Sequence, residues 1–395
     1  MIRVLGLDVS KSSISACLLE TKPDVPRQFY YDCPFYRLSA NSEGLKQMLA
    51  LKPDIAVFEP TGTNYSRLWG TYLARSGVEV RLVGHRQLRN YRSNHLDMAD
   101  KDDDGDALAL ACYYFEYCNE PRRFVQIRDR EIVKIRELVL RLGHLNRVQN
   151  PISNRVRQDL AWQFPEVALV RSRRQNQSET VPIFWAWLAQ ERKSARYDAL
   201  YKNTVGLGIT DTVRNHAKRV CDLQREEIAI EKELGQLFSD ARFEPYLEVF
   251  HKFGFGPRLT AILISQIYPL SGFMGEDGKP EVKILRGRNS GKPTKRYLSL
   301  RRFQKALGVA PTQESSGDKK KTKVVGGSDL CRKSLWQWIF TAIEPKQCRK
   351  NKIGQELGAK MDKQKATGRP INWVRMHVAT AGVKMLFNEL VKSCL

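Results

Sequence analysis

The chain has 395 residues, 42% hydrophobic and 9% aromatic, ordinary globular material with room for two or three domains. It has no apolar run of about eighteen residues, no signal-peptide layout at its N-terminus, and eight cysteines that stand singly without a CxxC pair. A membrane span, a secreted disulfide framework and a zinc module are therefore not expected. Sixty-six Lys and Arg against forty-three acids leave a net charge of +23. That balance suits a polyanionic partner, and the expected location is cytoplasmic and nucleoid-associated.

Residues 1–125 alternate strand and helix signals. "IRVLGLDV" and "SISACLLE" predict two strands and "RQFYYDC" a third, followed by a helix around "SEGLKQMLAL". "DIAVFEP" predicts a short buried strand ending in Glu59, "NYSRLWGTYLARSG" a helix closed by Gly77, and "VEVRLVG" another strand. A helix is expected from Asp103 through Tyr117. Two hairpin strands followed by βαβα point to a mixed sheet with helices on its faces.

Residues 126–245 form a second region with long helical patterns at 130–165 and 212–240, which project or pair as a coiled coil. Between them lies a tryptophan-rich helix, "IFWAWLAQ". The third region, 246–395, opens with "FHKFGFGPRLTAILISQI", read as helix, glycine turn, helix. A Gly, Lys and Arg-rich insertion at 272–302 follows, then "RRFQKALGVAPTQESSG", a basic loop "DKKKTKVVGG" and closing helices. No internal repeat is present.

Five aspartates crowd residues 100–106 of this basic chain. Acids at a helix start are favourable caps, and that accounts for Asp100, Asp102 and Asp104 as solvated neighbours. Asp103 and Asp106 are three apart and share a helix face. Asp8 ends the first strand and Glu59 the fourth. If both strands are central and parallel, their C-terminal ends open on one edge, where open α/β sheets build sites. Four carboxylates converging there would repel and raise one another's pKa. A divalent cation removes the conflict, and oxygen-only ligands suit Mg²⁺ or Mn²⁺. His85, just after a strand, has a position from which it could approach them, but a satisfied surface or core histidine is the expected reading.

"GLDVSK" with Asp8, "FEPTG" with Glu59, and "ADKDDDGDALALA" with Asp103 and Asp106 resemble the DEDD tetrad of the IS110-family transposases. The resemblance continues through "RELVLRLGHLNRVQNPISNRVRQDLAWQFPE", "FGFGPRLTAILISQI", "FQKALGVAPTQESSG" and "GRPINWVRMHVATAGVKMLF". It implies an RNase H-like (RuvC-like) α/β catalytic domain at 1–125, a helical or coiled-coil segment, and a mainly α C-terminal transposase domain. It implies Mg²⁺ (or Mn²⁺) at Asp8, Glu59, Asp103 and Asp106, and a serine that attacks a DNA phosphodiester. By the family's "S-G" pattern that serine is Ser316, with Ser315 adjacent. Further implied are donor and target DNA, a structured non-coding (bridge) RNA as guide, and a homo-oligomer, dimer or tetramer, in which one protomer's tetrad meets another's serine. The stretches at 272–296 and 345–370 are longer than the family pattern requires.

A serine hydroxyl attacks poorly unless it is activated, and "SSG" alone is an ordinary turn sequence. Seven Lys and Arg in residues 285–302, and four more in "KKKTK" at 319–323, flank that serine and predict phosphate contacts. A RuvC-like nuclease or junction resolvase would need the tetrad without the serine. A sugar-kinase or actin-like ATPase shares the opening "GLD", but Val9 replaces its preferred glycine. A non-catalytic RNA-binding protein would need neither.

Overall fold

The computed structural model describes residues 2–394 except 61–64, 99, 126–128, 171, 173–178, 288–290, 317, 318 and 325; within 313–316 and 319–323 the backbone alone is described. The chain divides into two compact units, residues 1–128 and 129–395.

The first unit holds β1 (Val4–Val9), β2 (Ser13–Leu19), α1 (Pro26–Asp32), β3 (Phe35–Ser39), α2 (Ser42–Ala50), β4 (Ile55–Phe58), α3 (Tyr65–Arg75), β5 (Glu79–Leu82), α4 (His85–Asn94) and α5 (Asp103–Tyr117). The five strands form one sheet in the order β3-β2-β1-β4-β5. The hairpin strands β1, β2 and β3 run antiparallel, and β4 and β5 run parallel to β1. With helices on both faces, this is an RNase H-like arrangement.

Strand alternation decides which residues meet which helices. Leu5, Leu7, Val9, Ala56 and Phe58 pack with Leu45 and Met48 of α2 and Trp69 and Leu73 of α3. Val4, Ile55 and Val57 face the other way, onto α5 and α4. Gly6 shares that second face. A Cβ there would stand 2.0 Å from the Ala107 carbonyl oxygen and 2.8 Å from the Ala111 nitrogen. Only glycine lets α5 lie directly on β1, and the small residues of "ALALA" complete the fit.

Two parts of this unit differ from the sequence reading. "RQFYYDC" is helical: Pro26 starts α1 at its first turn, and Phe29 and Tyr30 pack against the α5-side core. The third strand is "FYRLS", after Pro34. Helix α4 was not expected. It is so polar that no apolar periodicity announces it, with Leu88 and Tyr91 among its few buried residues.

The second unit contains α6 (Arg130–Gln163), α7 (Ile183–Leu188), α8 (Ala195–Lys202), α9 (Asp211–Leu237), α10 (Glu244–Lys252), α11 (Pro257–Ile267), β6 (Val282–Arg286), β7 (Pro293–Tyr297), α12 (Leu298–Ala306), β8 (Pro311–Ser316), β9 (Lys319–Val324), α13 (Asp329–Trp338), α14 (Lys352–Ala366) and α15 (Ile371–Cys394). The two long helices pair with each other. The first half of α6 shares a core with Ile230 and Leu234 near the end of α9. Its second half shares another with Val213 and Ala217 near the start. The pair is therefore antiparallel, and Lys134–Glu233 and Arg141–Glu226 bridge it. The C-terminal helices bury Phe250, Ile264, Phe303, Leu335 and Val378 together with the first half of α6. In the glycine turn, Phe255 packs against Phe250, Phe253 and Trp338, so the turn between α10 and α11 is wedged into the bundle. Among the described residues no helix is long and apolar enough to cross a membrane.

Candidate active site

Leu7 and Phe58 are the last paired residues of the parallel strands β1 and β4. Asp8 and Glu59 come next on each chain, so both stand at the C-terminal edge of the sheet. By alternation Asp8 follows Gly6 onto the α5 face, and Glu59 follows Ile55 and Val57. The Gly6 contact holds α5 so that its first turn, carrying Asp103 and Asp106, lies over this same edge.

The four predicted carboxylates are thus brought together. Asp103 lies near enough to Asp8 to act on its carboxyl. Burial and the negative charges of Asp106, Asp103 and Glu59 push the Asp8 carboxyl up to about 7. Asp106 is 7% exposed. Burial raises its pKa and the Glu59 charge adds to this, against the pull of Arg92 and Lys101.

The remaining aspartates have settled roles. Asp102 is the N-cap of α5, accepting from the Gly105 amide at 2.9 Å and from the Tyr30 hydroxyl at 2.6 Å. Burial acts to raise its pKa, but these hydrogen bonds hold it below the usual range. Asp104 pairs with Arg37 at 3.1 Å. Neither is simply a solvated neighbour. Arg37 also lies 3.6 Å from Asp103 and donates to Ser15, the cross-strand partner of Asp8.

Basic side chains meet these carboxylates at the same edge. His85, the first residue of α4, lies 2.5 Å from Glu59 through Nδ1, so it does reach the tetrad. Arg92, 5% exposed, pairs with Asp106 at 3.2 Å and donates to the Asp100 carbonyl at 2.7 Å. A cleft of about 430 Å³ is lined by Glu59, Asp106, His85, Arg89, Arg92 and Lys101. Of the basic residues here, the sequence singles out His85 alone. The i, i+4, i+7 spacing of His85, Arg89 and Arg92 directly after a strand is the signal that marks Arg89 and Arg92; nothing comparable marks Lys101.

Two family models match the chain: an IS110 DEDD transposase model, described as a transposase, over residues 5–165, and one described as "Transposase IS116/IS110/IS902 family" over residues 290–353. The chain belongs to the IS110 family of transposases. The first match spans the whole carboxylate edge of this IS110-family chain, and the second spans the "SSG" segment. No curated protein matches the chain.

Ser316 is the last residue of β8, where the backbone register sets it opposite Lys319 and sets Ser315 opposite Lys320. The basic "KKKTK" run is thus a paired strand, not the loop expected. The side chains of Ser315 and Ser316, and Gly317 entirely, lie outside the described residues.

Among the described residues no three Asp, Glu, His or Cys side chains are gathered closely enough to hold a metal ion as they stand. The donor set nonetheless fits a hard divalent cation. It is oxygen-only at the tetrad, and at Asp8 its negative charge is uncompensated to the point of retaining a proton near neutrality.

Proposed function

We propose that this IS110-family transposase cuts and rejoins DNA through Ser316, assisted by Mg²⁺ or Mn²⁺ at Asp8, Glu59, Asp103 and Asp106, with sites chosen by a structured non-coding RNA. The observation that carries the reading is the gathering of four carboxylates from β1, β4 and α5 on one sheet edge, with Asp8 pushed up to about 7 by burial and by the charges of the others.

When bound, the cation would polarise a DNA phosphate and lower the barrier to attack on phosphorus. The chain's own residues do the rest. Gly6 and the Asp102 cap set where the first turn of α5 lies. His85 and Arg92 position Glu59 and Asp106, two of the carboxylates that would hold the cation. At Ser316 the Oγ–P bond forms as one P–O ester bond breaks. The serine proton passes to water, and the departing sugar oxygen takes one up to leave as a hydroxyl. A hydroxyl of another strand then reverses the step and rejoins the DNA. In the proposed assembly, a dimer or tetramer, one protomer's tetrad serves another's serine.

The test is a denaturing gel of the protein incubated with Mg²⁺, its element's flanking RNA and end-labelled donor and target DNA. Label migrating with protein, absent in Ser316→Ala and weakened in Asp8→Ala, is the expected result. Free cleaved DNA that persists in Ser316→Ala would make the chain a metal nuclease with no covalent step.

A further inference from the structure

The insertion at 272–302 contains a two-stranded ribbon, β6 with β7, that packs its flanks on almost nothing. All five residues of β6 and four of the five in β7 are exposed. An isolated hairpin is marginal in water, and this one leaves Ile284 66%, Leu285 53% and Tyr297 54% exposed. Its base, in contrast, is fastened. Leu298 donates its amide to the Glu281 carbonyl, and the Glu281 amide donates to the buried Ser299 hydroxyl at 2.8 Å. Arg302 ties Glu281 to the Phe273 and Met274 carbonyls. The ribbon is an arm with a fixed root and two wet faces.

Its charge has one sign. Lys283, Arg286, Lys292, Lys295 and Arg296 are exposed on it, and residues 282–297 contain no acid. Lys283 leans on Glu281 at 3.6 Å, while Arg286, Lys295 and Arg296 make no ion pair among the described residues. The register puts Val282, Ile284 and Arg286 on one face with Pro293, Lys295 and Tyr297. That face presents two long cations beside apolar tips.

We propose that the β6–β7 ribbon inserts into the major groove of duplex DNA. A two-stranded ribbon about 17 Å long matches a groove about 12 Å wide. Arginine and lysine there meet guanine edges and phosphates, and aliphatic tips meet thymine methyls. Duplex RNA is a poor fit, because its major groove is deep, narrow and closed to side chains. The ribbon takes the DNA substrate from the family reading but uses no step of the reaction, so the serine chemistry and the ribbon fail in different assays.

The test is fluorescence-anisotropy titration of the full chain against duplex DNA, duplex RNA of the same sequence and single-stranded DNA, at several salt concentrations. Two variants are compared: Arg286→Gln/Lys295→Gln/Arg296→Gln, and one in which Gly-Gly joins Glu281 directly to Leu298, a gap the Leu298–Glu281 hydrogen bond already closes. Both should lose about tenfold or more in duplex-DNA affinity, with the triple variant's log–log salt slope falling by about 2–3. Duplex RNA and single-stranded binding should stay within about twofold. Equal losses on all three ligands, or an unchanged duplex-DNA slope, would overturn groove insertion. So would a change in the oligomer's mass without DNA, which would assign the ribbon to a second copy of the chain.

Discussion

The two units handle charge in opposite ways. At the sheet edge of the first, the fold compresses like charges: Asp8, Glu59, Asp103 and Asp106 stand together, partly desolvated, and Asp8 retains a proton near neutrality as a result. On the ribbon of the second, Arg286, Lys295 and Arg296 are exposed and make no ion pair among the described residues. Charge held against solvation is coupled to folding, so altering it moves stability and chemistry together. Charge left in water is uncoupled from the fold, so altering it moves binding alone. The contrast separates a site that does chemistry from a surface that recognises.

The sharpest break comes from deleting a compressed charge outright. Asp8→Ala or Asp106→Ala should lower joined-DNA product by about 10³-fold or more, the scale of losing a principal electrostatic group. Quantifying product on a gel checks it. Arg92→Leu attacks the same edge from the cation side by leaving Asp106 buried without its partner. It should cost about 3 kcal/mol of stability in denaturant titration. The double variant Arg92→Leu/Asp106→Leu should regain most of that, since two apolar side chains leave no orphaned charge. Gly6→Ala tests the backbone approach beneath the site. With its Cβ driven into the Ala107 carbonyl, thermal unfolding should report a loss of about 2 kcal/mol. The smallest effect is the pH response of the metal-free chain. Between about pH 4 and 7 folded Asp8 keeps a proton that the unfolded chain has released, so its contribution to stability falls as pH rises through that window. Asp8→Asn should remove this slope and stabilise the chain above pH 7 by about 1 kcal/mol, discounted for partial exposure.

Much of the carboxylate edge was legible in sequence because strand alternation and helix spacing act on nearest neighbours. Asp8 and Glu59 close short apolar runs, and Asp103 and Asp106 share a helix face. The basic residues beside them were not legible, since Arg92 and Lys101 sit in a segment whose polarity reads as surface, and only the packed structure buries Arg92 while leaving Lys101 exposed. "RQFYYDC" misled because its aromatics suit a strand, while Pro26 favours a helix start and the core accepts Phe29 and Tyr30 from either. "KKKTK" read as loop because lysine is a poor strand former. Its pairing with 311–316 follows from the hairpin register and not from local preference. The antiparallel pairing of α6 with α9 was half visible: the lengths were clear, the partner was not.

The most direct test of the shared carboxylate site is Mn²⁺ uptake by the full-length chain, followed by electron paramagnetic resonance and by proton release at pH 6 to 8. Saturable uptake that releases protons, grows stronger as pH rises through about 7 and is lost alike in Asp8→Asn, Glu59→Gln and Asp106→Asn is what the convergence of β1, β4 and α5 predicts. Uptake left unchanged in Glu59→Gln and Asp106→Asn would contradict it, and would leave the gathered carboxylates as a cap on α5 without a cation to hold.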